Sequence, residues 1–174
     1  MNWWDIALFL APAYVANAGA MLFGMVLKSK TPLDFGIQFI DRQPLLGKGK
    51  TWKGTFFGIF AGTIVAFALM VLFPKQAFDF YPNYLLAGFL ISAGAIFGDL
   101  AGSFVKRRLL IKSGSPTPIL DQLDFIVGAY VLLAIFYWPW PSYDDFFFVC
   151  IFTIITHIST NYFAFKLGLK KVPW

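Results

Sequence analysis

Five apolar segments, each long enough to cross a lipid bilayer, constrain this chain more than any other feature of its sequence. A helix needs about 20 apolar residues to span the hydrocarbon core of a membrane. Such segments occupy residues 6–27, 55–73, 84–105, 119–138 and 146–165. Hydrophobic residues make up 59% of the 174 residues and charged residues only 13%, which is too apolar for a soluble domain. We therefore expect an all-α integral membrane protein in which residues 1–174 form one bundle of five transmembrane helices.

The basic residues are unevenly distributed, and their distribution predicts the orientation of the bundle. Of the 14 Lys and Arg residues, six lie in the predicted loop 28–54, four in the predicted loop 106–118 and three in the tail from Lys166. By the positive-inside rule, these three regions face the cytoplasm. The N-terminus is then outside and the C-terminus inside, in a multi-pass protein of the cell membrane. The net charge of +5 is explained by this orientation and indicates no nucleic-acid partner.

Glycines recur every four residues in two of the predicted helices. Small residues at this spacing let the backbones of membrane helices approach each other closely. The pattern therefore predicts a compact bundle and says nothing about chemistry. The glycines are Gly54, Gly58 and Gly62 in the second segment and Gly94, Gly98 and Gly102 in the third.

Charged residues interrupt the apolar sequence between residues 98 and 124, where charge is costly and usually has a function. On the third predicted helix, four polar residues spaced seven, four and three apart fall along one stripe: Ser92, Asp99, Ser103 and Lys106. The stripe leads towards the predicted cytoplasmic end and indicates a polar cavity. The alternative is a structural ion pair between Asp99 and a neighbouring cation.

Two further aspartates, Asp121 and Asp124, open the fourth predicted helix. Thr117 is the expected N-cap of this helix and Pro118 its expected first residue. Residues three apart share a helix face, so the two carboxylates project together. The alternative is that both simply stabilise the positive end of the helix dipole.

The aspartates and the basic residues between them predict a site for a metal ion and a polyphosphate. Magnesium prefers carboxylate oxygens, which Asp99, Asp121 and Asp124 supply from two helices. Lys106 and Arg107 follow Asp99 closely enough to hold phosphate oxygens. The alternative for the basic loop is contact with anionic lipids.

The fifth predicted helix carries His157 and Asn161 one turn apart, towards its cytoplasmic end. Both side chains can face the same cavity and contact a substrate. The alternative is a hydrogen-bonded packing role within the bundle.

The polar residues after Gly98 resemble the signature of the CTP-dependent phosphatidate cytidylyltransferases. In that family a serine, a Lys-Arg pair and a lysine precede a closing Asp-Arg-x-Asp. The matching residues of this chain are Ser103, Lys106, Arg107, Lys112, Asp121 and Asp124. The chain departs from the pattern because Ser113 replaces an aspartate, a glycine- and histidine-rich insert is missing and the close reads Asp-Gln-Leu-Asp. With GKGKTWKG at residues 47–54 and the ending LGLKKVPW, these departures resemble the archaeal branch of the family, the CDP-archaeol synthases.

This resemblance implies a reaction, its partners and a division of roles. A cytidylyl group passes from CTP to an archaeal ether-linked phosphatidic acid, 2,3-bis-O-geranylgeranyl-sn-glycerol 1-phosphate, with magnesium, on the cytoplasmic side of the membrane. The products are the CDP-lipid and pyrophosphate, and the partners are CTP, the isoprenoid ether-lipid phosphate and membrane lipids. The implied catalytic residues are Asp99, Lys106, Asp121 and Asp124, with the three aspartates as magnesium ligands. The implied nucleotide- and phosphate-binding residues are Lys50, Thr51, Lys53, Ser103, Arg107 and Lys112, and the possible cavity-lining residues are Ser92, His157 and Asn161.

Two other classes of protein share some of these features. A small ion or solute transporter also buries aspartates beside cations, but its pathway needs polar residues that continue to the outer face, and the outer halves of the third and fourth segments are apolar. A CDP-alcohol phosphotransferase uses membrane aspartates, a metal and a cytidine nucleotide. The DGxxAR start and widely spaced aspartates expected of that class are absent from this sequence.

Overall fold

The computed structural model describes residues 3–28, 31–113, 115–137 and 143–168, the side chain of Ala164 excepted. Across these residues the backbone forms α-helices, and no β-strand occurs; extended segments pair there as the isolated bridges Pro32–Thr51 and Gln38–Pro44. The predicted all-α fold is therefore confirmed. The helices are α1 (Trp3–Val26), α2 (Trp52–Leu72), α3 (Pro74–Phe80), α4 (Tyr84–Arg108), α5 (Leu120–Phe136) and α6 (Tyr143–Lys166).

Four of the described helices are long and apolar enough to cross a membrane. They are α1, α2, α4 and the Tyr143–Phe163 part of α6. The chain is therefore a multi-pass membrane protein. Helix α5 has 17 residues, fewer than the segment 119–138 predicted, and the short helix α3 is an element that the apolar pattern does not predict. The expected end of that segment at Trp138 and the tail lysines Lys170 and Lys171 lie outside the described residues.

Helix α4 is longer at its C-terminus than the sequence predicts. It continues to Arg108, so Lys106 and Arg107 lie in its last turn rather than in a loop. Positive charges in a last turn interact favourably with the negative end of the helix dipole. The basic residues are therefore held on a rigid element.

Helix α5 begins at Leu120, after Ile119 adopts a left-handed φ of 70°. The side chain of Thr117 does not cap this helix, which differs from the expected start. Instead, the backbone N–H of Thr117 donates to the Asp121 carboxylate at 2.8 Å. A carboxylate of the first turn thus binds the chain that leads into the helix.

The glycines of the bundle lie where helix backbones touch. A Cβ atom on Gly58 of α2 would lie 2.8 Å from the backbone oxygen of Ala16 on α1. One on Gly98 of α4 would overlap the backbone oxygen of Asp124 on α5. Because α4 and α5 pack backbone to backbone, the acidic start of α5 lies directly beside the polar end of α4.

Candidate active site

Two adjoining cavities lie between the ends of α1 and α4 and the starts of α2 and α5. The larger has a volume of about 620 Å³ and the smaller about 250 Å³. The larger cavity reaches His157 on α6 and has apolar walls, whereas serines and Arg107 surround the smaller one. Four residues line both: Gly49, Lys50, Lys106 and Asp121.

Lys50, from the loop that precedes α2, forms the first ion pair of the site. Its ammonium nitrogen lies 2.6 Å from both carboxylate oxygens of Asp99 on α4. Both side chains are partly buried, so the pair is shielded from solvent. Asp99 is therefore paired with a cation from a distant loop rather than with Lys106, the neighbour on its own helix.

Lys106 forms the second ion pair, across the contact between α4 and α5. Its ammonium nitrogen lies 2.5 Å from one carboxylate oxygen of Asp121, and the other oxygen accepts the Thr117 N–H. The two ion pairs lie where the cavities join, so positive and negative side chains alternate there. Such an arrangement provides both cation and anion positions within a few ångströms.

Asp124 lies behind these pairs, against the glycine face of α4. Its carboxyl group fills the space that a side chain at Gly102 would occupy, and one of its oxygens accepts the Phe125 N–H at 2.7 Å. The charges of Asp99, Lys106 and Lys50 act on the Asp124 carboxyl group. Asp124 is thus part of the same electrostatic centre, although it lines neither cavity.

The three aspartates are not gathered around one point. Across the residues described, no group of three or more His, Cys, Asp or Glu side chains could hold a metal ion. Asp99 and Asp121 are each paired with a lysine, and Asp124 packs against Gly102. The predicted magnesium ligands therefore share a region without forming a cluster.

Arg107 and Ser103 form the buried polar wall of the smaller cavity. Both residues are buried, on consecutive turns of α4. In the described part of the chain, the Arg107 Nε–H finds no hydrogen-bond acceptor. A buried donor without a partner is costly, so this atom is poised to bind an anionic oxygen.

The loop that carries Lys50 is fixed by Asp34, a residue that the sequence did not single out. One carboxylate oxygen of Asp34 accepts the Gly36 N–H at 3.0 Å, and the other accepts the N–H groups of Leu46 and Gly47 at 2.9 and 3.1 Å. Burial by itself raises the pKa of Asp34, but these backbone donors outweigh burial and hold its pKa below the ordinary value. An aspartate followed two residues later by glycine is a turn signal that points to the Gly36 bond but not to the bonds with Leu46 and Gly47.

Some predicted site residues line neither cavity. Lys53 and Lys112 are exposed and line neither cavity. Ser92 is fully buried at the contact with Gly62 of α2 and donates to the Gly88 carbonyl, so the structure does not place it on a cavity. The Ser92 hydroxyl therefore makes its hydrogen bond within its own helix.

Three predicted residues keep a position near the larger cavity. Thr51 lines it and also caps α2, accepting the Gly54 N–H at 3.2 Å. His157 lines it as well. Asn161 supports His157, because its Nδ2 lies 3.1 Å from the histidine Nδ1.

The apolar helices and the charged, partly buried centre at one end of the bundle together define an intramembrane enzyme. A family model described as CarS-like CDP-archaeol synthase matches residues 4–174. The chain therefore belongs to the CDP-archaeol synthase family.

Individual relatives support this assignment over nearly the whole chain. The CDP-archaeol synthase of Methanocaldococcus jannaschii is 44% identical over 173 residues, which cover 95% of this chain and 94% of that protein. The corresponding protein of Thermofilum pendens is 41% identical, with 96% and 79% covered. A solved structure of an intramembrane enzyme for archaeal membrane lipid biosynthesis superposes with a TM-score of 0.76 at 32% identity, covering 89% of this chain and 91% of that one.

Proposed function

We propose that the chain transfers a cytidylyl group from CTP to an archaeal ether-linked phosphatidic acid, giving a CDP-archaeol-type lipid and pyrophosphate. Family membership supports the reaction class. The observation that carries the proposal is the junction of the two cavities, where Lys50, Lys106 and Asp121 meet beside Arg107, whose Nε–H has no acceptor among the described residues. An anionic nucleotide and an anionic lipid head group need such a cationic junction to come together.

The reaction needs charge neutralisation more than proton transfer. A phosphomonoester has a second pKa of about 6, so the lipid phosphate is largely a dianion at neutral pH and needs no general base. One of its oxygens forms a new bond to the α-phosphorus of CTP while the bond from that phosphorus to the bridging oxygen breaks. The leaving pyrophosphate carries away the bonding electrons, and cations at its oxygens lower the barrier.

The two cavities suit the two substrates. The smaller is lined by Ser103, Lys106 and Arg107 and matches a polyphosphate chain in chemistry. The larger joins the charged centre to apolar walls that include Met21 and Met25, which suits a lipid head group with the start of its chains. Shared lining residues let the two phosphates meet at Lys50 and Lys106.

The carboxylates fit a hard divalent cation such as magnesium. Oxygens of Asp99 and Asp121 line the larger cavity, and each already binds the positive charge of a lysine. Asp99 and Asp121 would hold the ion, with phosphate oxygens and water as its remaining ligands, and the ion would supply charge neutralisation for the phosphates. Lys50 and Lys106 would then be free to contact phosphate oxygens.

We further propose five membrane-spanning helices, with the N-terminus outside and the site on the cytoplasmic side. Helix α5, at about 1.5 Å per residue, is roughly 26 Å long and comes close to the thickness of the hydrocarbon core. The concentration of Lys and Arg in the loops at the site end supports the orientation.

The direct test is turnover by the purified full-length chain in detergent with CTP labelled at the α-phosphate, magnesium and a geranylgeranyl ether-lipid phosphate. We expect label in the lipid product and release of pyrophosphate in equal amounts. The Asp121→Asn variant should lose most of this activity, whereas Asp79→Asn, which changes an exposed carboxylate on α3 away from both cavities, should keep it. Label transfer from a CDP-alcohol instead, or no reaction with any lipid phosphate, would refute the proposal.

A further inference from the structure

In the segment from residue 33 to residue 46, three large apolar side chains are more than half exposed, and Phe39 is 40% exposed. Phe35, Ile37 and Ile40 are 67%, 58% and 91% exposed. Apolar side chains gathered on one exposed segment are typical of a binding surface.

This segment, the 33–46 hairpin, is ordered by its own backbone. The Leu45 N–H donates to the Ile37 carbonyl at 3.0 Å, and the Phe39 N–H donates to the Gln43 carbonyl at 2.8 Å. Ile40 lies at the tip, between the two hydrogen-bonded arms of the hairpin. Because the backbone is satisfied internally, the exposed side chains are held on a defined shape rather than on a loose coil.

Helix geometry gives the depth of two reference residues beside the hairpin. Helices α2 and α4 touch at Gly62, the middle residue of α2, and Ser92. At about 1.5 Å per residue, Trp52 lies about 15 Å from this level along α2, and Phe104 lies about 18 Å from it along α4. Half of the hydrocarbon core is about 15 Å thick, so both residues lie at the membrane boundary when the middle of α2 is placed at the centre of the bilayer.

The hairpin contacts both reference residues. The Phe35 ring lies 5.8 Å from the Trp52 ring, and the Phe39 ring lies 5.4 Å from the Phe104 ring. The guanidinium of Arg108 lies 4.8 Å from the Phe39 and Phe104 ring centroids, which secures the second contact. Two separate helices therefore place the hairpin at the same depth.

We propose that the 33–46 hairpin is a membrane-interface anchor, whose partner is the lipid surface on the side of the candidate active site. Ile37 and Ile40 lie among the head groups and upper acyl chains. Arg42, which is exposed beside the tip, contacts lipid phosphate. The surface is continuous with the lipid-facing side of α2, where Phe56 and Phe60 are also exposed.

A lipid surface fits this hairpin better than a second copy of the chain. The exposed side chains of the hairpin bury roughly 600 Å² in total, below the roughly 800 Å² per partner of a stable protein interface, and the apolar surface continues onto the lipid-facing side of α2. Insertion into a bilayer has no such threshold and gains from each apolar side chain separately.

The anchor has a consequence for the site that does not depend on which reaction occurs there. The base of the hairpin contains Asp34, which holds the backbone of Leu46 and Gly47 just before Lys50. Lipid contact at the tip therefore acts on the same folded segment that leads to Lys50.

The test measures the depth of the tip in vesicles containing anionic lipid. Ile40→Cys is made in a Cys150→Ala background, since Cys150 is the only native cysteine, and is labelled with a nitroxide. Accessibility to oxygen and to a water-soluble nickel complex is compared with two reference positions, the lipid-facing Phe67→Cys in α2 and the exposed Lys112→Cys. Ile37→Cys provides a second position on the hairpin.

We expect both hairpin labels to favour oxygen over nickel, with ratios closer to that of Phe67 than to that of Lys112. Ratios equal to that of Lys112 would overturn the proposal, because the tip would then lie in water. Spin–spin coupling between Ile40 labels that persists when the protein is diluted in lipid would also overturn it, in favour of a second copy as the partner.

Discussion

Lys50 holds both carboxylate oxygens of Asp99 with one ammonium group, at 2.6 Å each, across 49 residues of sequence. The pair connects the loop before α2 to the polar stripe of α4. It also places a positive charge where the proposed reaction requires a cation. In the proposed reaction, Lys50 therefore has two competing partners, the Asp99 carboxylate and the phosphates of a bound nucleotide.

Replacement of Lys50 should separate these two roles. Lys50→Gln should lower kcat/KM for CTP by about 10- to 100-fold, since a hydrogen bond to a charged group contributes about 1.5–3 kcal/mol. Without nucleotide, the same variant should bind Mn²⁺ more tightly than the wild type, because the competing ammonium is gone. Lys53→Gln is the matched control: this exposed lysine lines neither cavity and should change little. An equal loss of activity in both variants would contradict the assignment of Lys50 to the site.

Asp34 should act on nucleotide binding through the loop that it holds. In Asp34→Asn, the side-chain NH₂ group replaces one carboxylate oxygen and cannot accept a hydrogen bond. At least one of the three bonds from backbone N–H groups is therefore lost. We expect a higher KM for CTP with a smaller change in kcat, together with faster hydrogen exchange at Leu46 and Gly47. Asp79→Asn, which changes an exposed carboxylate on α3, should leave both measurements nearly unchanged. Unchanged exchange in Asp34→Asn would show that other contacts fix the loop.

The lowered pKa of Asp34 also predicts a pH dependence of stability. A carboxyl group whose pKa is lower in the folded state stabilises the fold fully above its ordinary pKa of 3.8. This contribution is lost as the pH falls below 3.8 and through the lower folded pKa. The difference in free energy of unfolding between wild type and Asp34→Asn should therefore be constant above about pH 5 and shrink towards pH 3. A difference that instead grew on acidification would mean that the carboxylate is not stabilised by its backbone donors.

The contact between α4 and α5 should tolerate no side chain at Gly98. A Cβ atom there would overlap the backbone oxygen of Asp124, and backbone cannot yield as a flexible side chain does. We expect Gly98→Ala to cost about 1–3 kcal/mol or more and to lower the unfolding midpoint in detergent. Gly19→Ala is the control, because its Cβ would make only ordinary contacts, at 3.5 Å or more, and alanine favours a helix. Equal stability of the two variants would mean that the helices separate easily at this point.

Much of the fold follows from the sequence because each helix carries its own signal. Apolar length predicted the long helices, and helical spacing predicted that Asp99, Ser103 and Lys106 lie together near one end. The backbone contact at Gly98 agrees with the small-residue pattern. These features depend on residues close in sequence, so a periodic pattern is enough to find them.

The long-range pairings could not be predicted in this way. Nothing in the local sequence distinguishes Lys50, which reaches Asp99, from Lys53, which is exposed in the first turn of α2 and lines neither cavity. Asp34 was missed for the same reason, since its partners at Leu46 and Gly47 lie 12 and 13 residues away. The roles of loop residues depend on tertiary contacts, and periodic sequence patterns do not predict such contacts.

At Arg107, we expect activity to depend on the planar guanidinium group as well as on the positive charge. It is buried beside the smaller cavity, and in the described part of the chain its Nε–H has no acceptor. Arg107→Gln should lower kcat/KM for CTP by about 10- to 100-fold, since the lost bonds are to a charged group. Arg107→Lys keeps the charge but not the planar donor fork, so it should recover only part of the loss. Full activity in Arg107→Lys would mean that only charge matters there, and full activity in Arg107→Gln would remove the smaller cavity from the reaction.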